Sequence, residues 1–151
     1  MKALIASLAV VVSLFSPPAF AALGGDAASV DADRAQMKGS EELKSASAYT
    51  VHQLTSASGT VVREYVSSSG NVFAVAWQGP FFPDMQELLG SYFEQYSAAV
   101  KVNRSARVGR HPLNLQLSGL TVQMNGYARA YHFRAYVPQQ IPAGVKEEEL
   151  R

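Results

Sequence analysis

The chain has 151 residues, 48% of them hydrophobic and 17% charged, with 13 basic and 12 acidic side chains and no cysteine. That balance excludes the basic excess a nucleic-acid binder needs for its phosphate contacts. The missing thiols exclude disulfides and thiolate zinc sites, so any folded domain here must be held by apolar packing.

Met1-Lys2 supplies a positive start, Ala3 to Phe15 is apolar apart from Ser7 and Ser13, and Ser16-Pro17-Pro18 ends the run. Ala19-Phe20-Ala21 then offers small side chains at the positions a signal peptidase must accept. This predicts a secretory signal peptide over residues 1–21, cut before Ala22. The other reading is an uncleaved anchor, but the run is short of the roughly 20 residues that span a bilayer. No Arg-Arg pair precedes it, which argues against twin-arginine export. No later segment is long and apolar enough for a transmembrane span, so the mature chain is expected in the periplasm or secreted. Removing Lys2 with the leader makes the basic and acidic counts equal.

Residues 22–47 are rich in Ala, Ser, Gly and Asp. They predict a poorly packed lead segment, with a short helix around Ala32 to Lys44 as the alternative, because little apolar area is available to offset ordering entropy. Residues 48–138 read as one α+β domain. Ala48 to Leu54, Thr60 to Ser67 and Asn71 to Trp77 are strand-like. The second sets Val61, Arg63 and Tyr65 on one face against Val62, Glu64 and Val66. The third is apolar on both, with Val72, Ala74 and Ala76 against Phe73, Val75 and Trp77, as in a strand covered on two sides. Ser56-Ala57-Ser58-Gly59 and Ser68-Ser69-Gly70 predict hairpin loops, making the three an antiparallel meander.

Asp84-Met85-Gln86-Glu87 fits a capping box. Met85, Leu88, Leu89, Tyr92, Phe93, Tyr96 and Val100 then recur at helical spacing, giving one apolar stripe toward a core. Gly90 inside it suggests a place where another backbone comes close. After a basic connection from Asn103 to Pro112, Leu113, Leu115 and Leu117 alternate with polar residues, as do Leu120, Val122 and Met124. Asn125-Gly126 is the strongest hairpin signal in the chain. The return strand, Tyr127 to Val137, would place Tyr127, Arg129, Tyr131, Phe133, Ala135 and Val137 on one face, and Pro138 stops it. Residues 139–151, with Glu147-Glu148-Glu149, read as a solvated polar tail. The fold class is therefore α+β, an antiparallel sheet (a meander, then the Asn-Gly hairpin) packed against one main amphipathic helix.

The most unusual stretch is Trp77-Gln78-Gly79-Pro80-Phe81-Phe82-Pro83-Asp84. Functionally, Trp77, Phe81 and Phe82 form a stiff aromatic loop able to grip a peptide, lipid or glycan. Structurally, the two phenylalanines plug the sheet end and staple the helix start. Arg104, Arg107 and Arg110, with His111, form a basic strip that is either a solvated loop or a site for an anionic envelope component. Arg63, Arg129 and Arg134 lie on strands, where Glu64 or cross-strand neighbours are available to pair with them. His52, His111 and His132 have no metal-ligand spacing, and no metal or cofactor site is indicated. No serine sits in a G-x-S-x-G elbow, and Asp84, Glu87 and Glu94 make no acid–base pair. No catalytic residue stands out.

The sequence resembles an uncharacterised family of exported Gram-negative bacterial proteins, domain of unknown function 2844. The residues carrying the resemblance are Ala22-Leu23-Gly24-Gly25, Gly59 to Val66, Gly70 to Pro80, Pro83-Asp84, Leu88-Leu89-Gly90 and Arg134 to Pro138. It implies one exported domain and brings no activity, cofactor or catalytic residue. Leu23-Gly24-Gly25 then reads either as a recognition element or as a flexible leader beside the cleavage site.

Taken together, these features predict a non-catalytic periplasmic or secreted binding module whose partner is a protein or a cell-envelope component. One alternative is a small-ligand carrier with Tyr92, Tyr96, Tyr131 and Phe133 around a pocket. The other is an envelope-polymer hydrolase working through His52 or His132 with a carboxylate.

Overall fold

The structure is a computed structural model, and it describes residues 23–26, 40–106 and 112–151. The strands are β1 Ser40–Ser45, β2 Tyr49–Thr55, β3 Val61–Ser67, β4 Val72–Gly79, β5 Leu113–Leu117, β6 Leu120–Tyr127 and β7 Ala130–Tyr136. They make one sheet in the order β1-β2-β3-β4-β7-β6-β5, antiparallel at every pairing. Two meanders, β1 to β4 and β5 to β7, therefore join where β4 pairs with β7. The helical stretch between them, α1 Met85–Leu89 and α2 Phe93–Ala106 with a 3-10 turn at Gly90–Tyr92, packs on one face. This is the α+β architecture expected from the alternating patterns.

The β2–β3 and β3–β4 hairpins share one turn chemistry. Ser56 N–H donates to Thr60 O and Gly59 N–H to Ser56 O, while Ser67 N–H donates to Asn71 O and Gly70 N–H to Ser67 O. In each, the leading serine's Oγ also accepts from the backbone at the far side, from Thr60 N and from Asn71 N. A serine hydroxyl thus mimics a backbone acceptor inside the turn.

The sheet has two cores. On the helix side, Leu54, Val62, Val75, Trp77, Val122, Phe133 and Ala135 pack against Leu88, Leu89 and Tyr96. On the other side, Tyr65, Phe73, Ala74, Ala76 and Tyr136 pack against Leu150, with Ile141 and Val145 beside it. Strict alternation along β4 fails at one point. Tyr65 pairs with Ala74 but Val66 pairs with Val72, so Phe73 is an extra residue in a β-bulge. The bulge sends Val72, Val75 and Trp77 to the helix side and Phe73, Ala74 and Ala76 to the other.

Several local expectations are corrected. The lead segment is not loosely packed throughout, and residues 40–45 are not helical. They form β1, the edge strand beside β2, and Leu23 is wholly buried. Leu23 N–H donates to Leu88 O, and Gly24 N–H donates to Val72 O, so Leu23-Gly24 is core structure rather than free leader. The tail is exposed along most of its length but its end is docked: Leu150 is wholly buried, and Tyr65 Oη both donates to Arg151 O and accepts from Arg151 N, each at 2.9 Å.

The helix is not continuous. It breaks at Gly90, where φ is 48°, a conformation that favours glycine, and restarts at Phe93. The last hairpin does not turn at Asn125-Gly126. Tyr127 pairs with Ala130, so Ala128-Arg129 make the turn and Arg129 takes a positive φ of 67°. A turn at Asn125-Gly126 would set Val122 opposite Arg129. The observed register sets Val122 opposite Ala135 and Met124 opposite Phe133. Burial of these apolar pairs outweighs the local turn preference.

Candidate functional site

The aromatic segment connects β4 to α1 at one end of the sheet. Its entry is fixed by close packing: a Cβ on Gly79 would lie 2.7 Å from Thr60 Cα, so only glycine lets these backbones meet. Thr60, itself buried, donates its hydroxyl to Phe81 O at 3.2 Å. Pro80 and Pro83 limit the backbone on either side of the phenylalanines. At the exit, Asp84 Oδ1 accepts from Gln86 N at 2.9 Å and Glu87 N at 3.1 Å, the expected N-cap of α1. The loop is thus pinned at its start, middle and end.

Its three aromatic residues separate into two roles. Trp77 is 1% exposed and stacks on Phe133 in the helix-side core, so it is not a contact surface. Phe82 is 49% exposed and rests edge-on against Trp77, with Tyr131 also 4.8 Å from its ring centre. Phe81 is 54% exposed. Phe82 therefore carries both readings, anchoring the loop on the core and presenting one side outward, while Phe81 stands clear of the core. Beside them a cavity of about 180 Å³ is lined by both phenylalanines, Ser56, Ser58, Pro83 and Leu88.

Among the other candidates, Arg104 lies in the last turn of α2, and Arg107, Arg110 and His111 lie outside the described residues. Arg63 and Arg134 do not pair with Glu64. They lie on the sheet face away from the helix, whereas Glu64 is wholly buried and directly opposite His52 in the β2–β3 register. Arg129 sits in the turn. His52 and His132 are not brought together: His52 is on β2, and His132 on β7 pairs with Gln78 and Asn125. His52 Nδ1 lies 3.0 Å from Glu41 Oε1, an acid–imidazole pair whose side chains are 19% and 15% exposed. Glu41 belongs to the unforeseen edge strand, which is why no sequence spacing pointed to it. Neither residue lines either described cavity. Tyr96 and Phe133 meet edge to face in the core with Tyr92 and Tyr131 packed around it, so these four rings fill the space between helix and sheet. Among the described residues no group of three or more His, Asp or Glu side chains is arranged to hold a metal ion, and no helix is long and apolar enough to cross a membrane.

A family model described as a protein of unknown function (DUF2844) matches residues 19–150. No curated protein and no solved structure matches the chain.

Proposed function

The chain belongs to that DUF2844 family, and from this premise we propose that it is an exported, non-catalytic binding module that engages a partner protein of the cell envelope through the Phe81-Phe82 loop. The observation that carries this reading is the exposure of two adjacent phenylalanines on a loop that is otherwise fixed. Large aromatic side chains half in water gain most from burial against a partner. A loop already pinned at Thr60, Trp77 and Asp84 loses little conformational entropy on binding. The neighbouring cavity is of a size to receive one apolar side chain from the partner. Export rests on the leader pattern, and the family match begins at Ala19, beyond the apolar run.

The test is crosslinking in intact cells followed by purification of the tagged protein from the envelope fraction, for the natural chain and for Phe81→Ser. Phe81 is the cleaner target because Phe82 also supports the core. A partner recovered stoichiometrically with the natural chain and lost with Phe81→Ser, at unchanged melting temperature, is the expected result. Equal recovery of that partner with the variant would remove the loop from the interface. Intact mass of the exported protein should correspond to a chain starting at Ala22.

A further inference from the structure

Beyond this aromatic loop, we propose that the sheet face away from the helix carries a second site, which binds a sugar-sized anion bearing a carboxylate or phosphate group between Arg63 and Arg134. The two arginines come together through register alone. Arg63 on β3 is opposite Ala76 on β4, and Ala76 is opposite Arg134 on β7, so one methyl group separates two guanidinium-bearing positions across three strands. With strands about 4.8 Å apart, the two Cα atoms are roughly 10 Å from each other, a span two extended arginines close over a small floor.

The row continues symmetrically outward. Arg63 is opposite Gln53 on one side, and Arg134 is opposite Gln123 on the other. Arg63 Nε donates to Gln53 Oε1 at 3.0 Å, and Arg134 Nε donates to Gln123 Oε1 at 2.7 Å. Each glutamine thereby holds its arginine by the Nε–H. Arg134 Nη1 also donates to Glu147 O at 2.6 Å. Among the described residues, the terminal nitrogens of Arg63 have no hydrogen-bond acceptor.

Neither guanidinium is in an ion pair among the described residues, and three carboxylates of this face, those of Glu42, Glu147 and Glu149, have other partners. Glu147 accepts from the Tyr136 hydroxyl at 2.6 Å, and Glu149 accepts from Lys146 N–H and the Tyr49 hydroxyl. Glu42 accepts from Gln53 and pairs with Lys44. Two positive groups are thus left on a protein face without the neutralising partner such pairs ordinarily have.

The arginines border an open cleft of about 430 Å³, closed at one end by Leu150 and Arg151 of the docked tail. Within the range of small-ligand sites, this volume exceeds what a bare ion fills. The next cross-strand row adds Gln78, His132 and Asn125 to its lining. Amides and an imidazole beside paired guanidiniums suit a hydroxyl-bearing body with one anionic group, the chemistry of a uronic acid or a sugar phosphate.

The test is calorimetric titration of the purified protein with glucuronate, glucose 6-phosphate, inorganic phosphate and glucose. Saturable binding of glucuronate or of glucose 6-phosphate at a Kd of about 1 mM or tighter is expected, without binding of glucose. The stronger of the two identifies the carboxylate or the phosphate ester as the natural group. Arg63→Gln and Arg134→Gln should each weaken that binding at least about tenfold, as removal of a charge-assisted hydrogen bond does. In the unmodified protein, the side-chain Nε–H signals of Arg63 and Arg134 should shift during the same titration, which keeps the test valid should either variant fail to fold. Absence of binding by both anionic sugars, inorganic phosphate binding as tightly as they do, or unshifted arginine signals would each overturn the proposal.

Discussion

Leu150→Ala is the sharpest test of the docked tail. The side chain is wholly buried against Tyr65, Phe73, Ala74, Ala76 and Tyr136. Truncation to alanine removes three carbons, at about 0.8 kcal/mol each, for about 2.4 kcal/mol of lost transfer free energy. The cavity left behind adds to this where the surroundings cannot collapse. Here the tail is a short segment held by a few hydrogen bonds, so partial collapse is expected and the total should be about 2–4 kcal/mol. For a domain of this size about 3 kcal/mol corresponds to a fall in melting temperature of roughly 10 °C. Thermal and urea unfolding followed by circular dichroism would measure it, with Glu148→Ala, an exposed neighbour, as the control expected to stay within about 0.5 kcal/mol of the parent. A loss for Leu150→Ala no larger than the control's would refute the second core, and with it the closed end of the arginine cleft.

The remaining predictions address the other unforeseen features. Leu23→Ala should cost about 2–5 kcal/mol in urea unfolding, since Leu23 is wholly buried; a neutral result would mean the Leu-Gly-Gly segment is leader after all. Gly126→Ala should be severely destabilising, because its φ is 124° and a Cβ there would lie 2.2 Å from Ala130 O, whereas Arg129→Gly should be neutral to stabilising by up to about 1 kcal/mol because it relieves a left-handed non-glycine residue. The reverse order of these two would place the turn at Asn125-Gly126. Burial raises the hydroxyl pKa of Tyr65 and Tyr136 above the ordinary tyrosine value, and Glu147 raises Tyr136 further. Their contribution is therefore complete below about pH 10, where unfolded tyrosine titrates, and is lost as pH rises through the folded values. Unfolding curves from pH 8 to 11.5 should show stability falling above about pH 10, less steeply in Tyr65→Phe and Tyr136→Phe; identical slopes would contradict the assignment.

Much of the fold was readable because it is written in local periodicity. Six of the seven strands and the helical stretch announce themselves by alternation or by three- and four-residue spacing, and the serine-glycine turns and the Asp84 cap carry their own hydrogen-bond chemistry. The family resemblance was likewise legible in short motifs, and the match over residues 19–150 places the chain in that family. Tertiary structure alone decided what depends on distant partners. β1 has no apolar alternation of its own and exists because β2 offers it an edge. Leu23 stands among alanines and glycines and Leu150 among charged residues, with no apolar periodicity around either, and only a sheet with two faces to cover turns each into core. The Asn-Gly signal was overridden because side-chain pairing along β6 and β7 sums over many residues while a turn preference acts on two. The exposure of Phe81 and the burial of Trp77, four residues apart, follow from which of them the sheet can reach. Arg63 and Arg134 are distant in sequence, and nothing local marks them as neighbours across Ala76. Register across three strands makes them so, because hydrogen-bonded strands bring together residues that share a row rather than residues that share a stretch of chain.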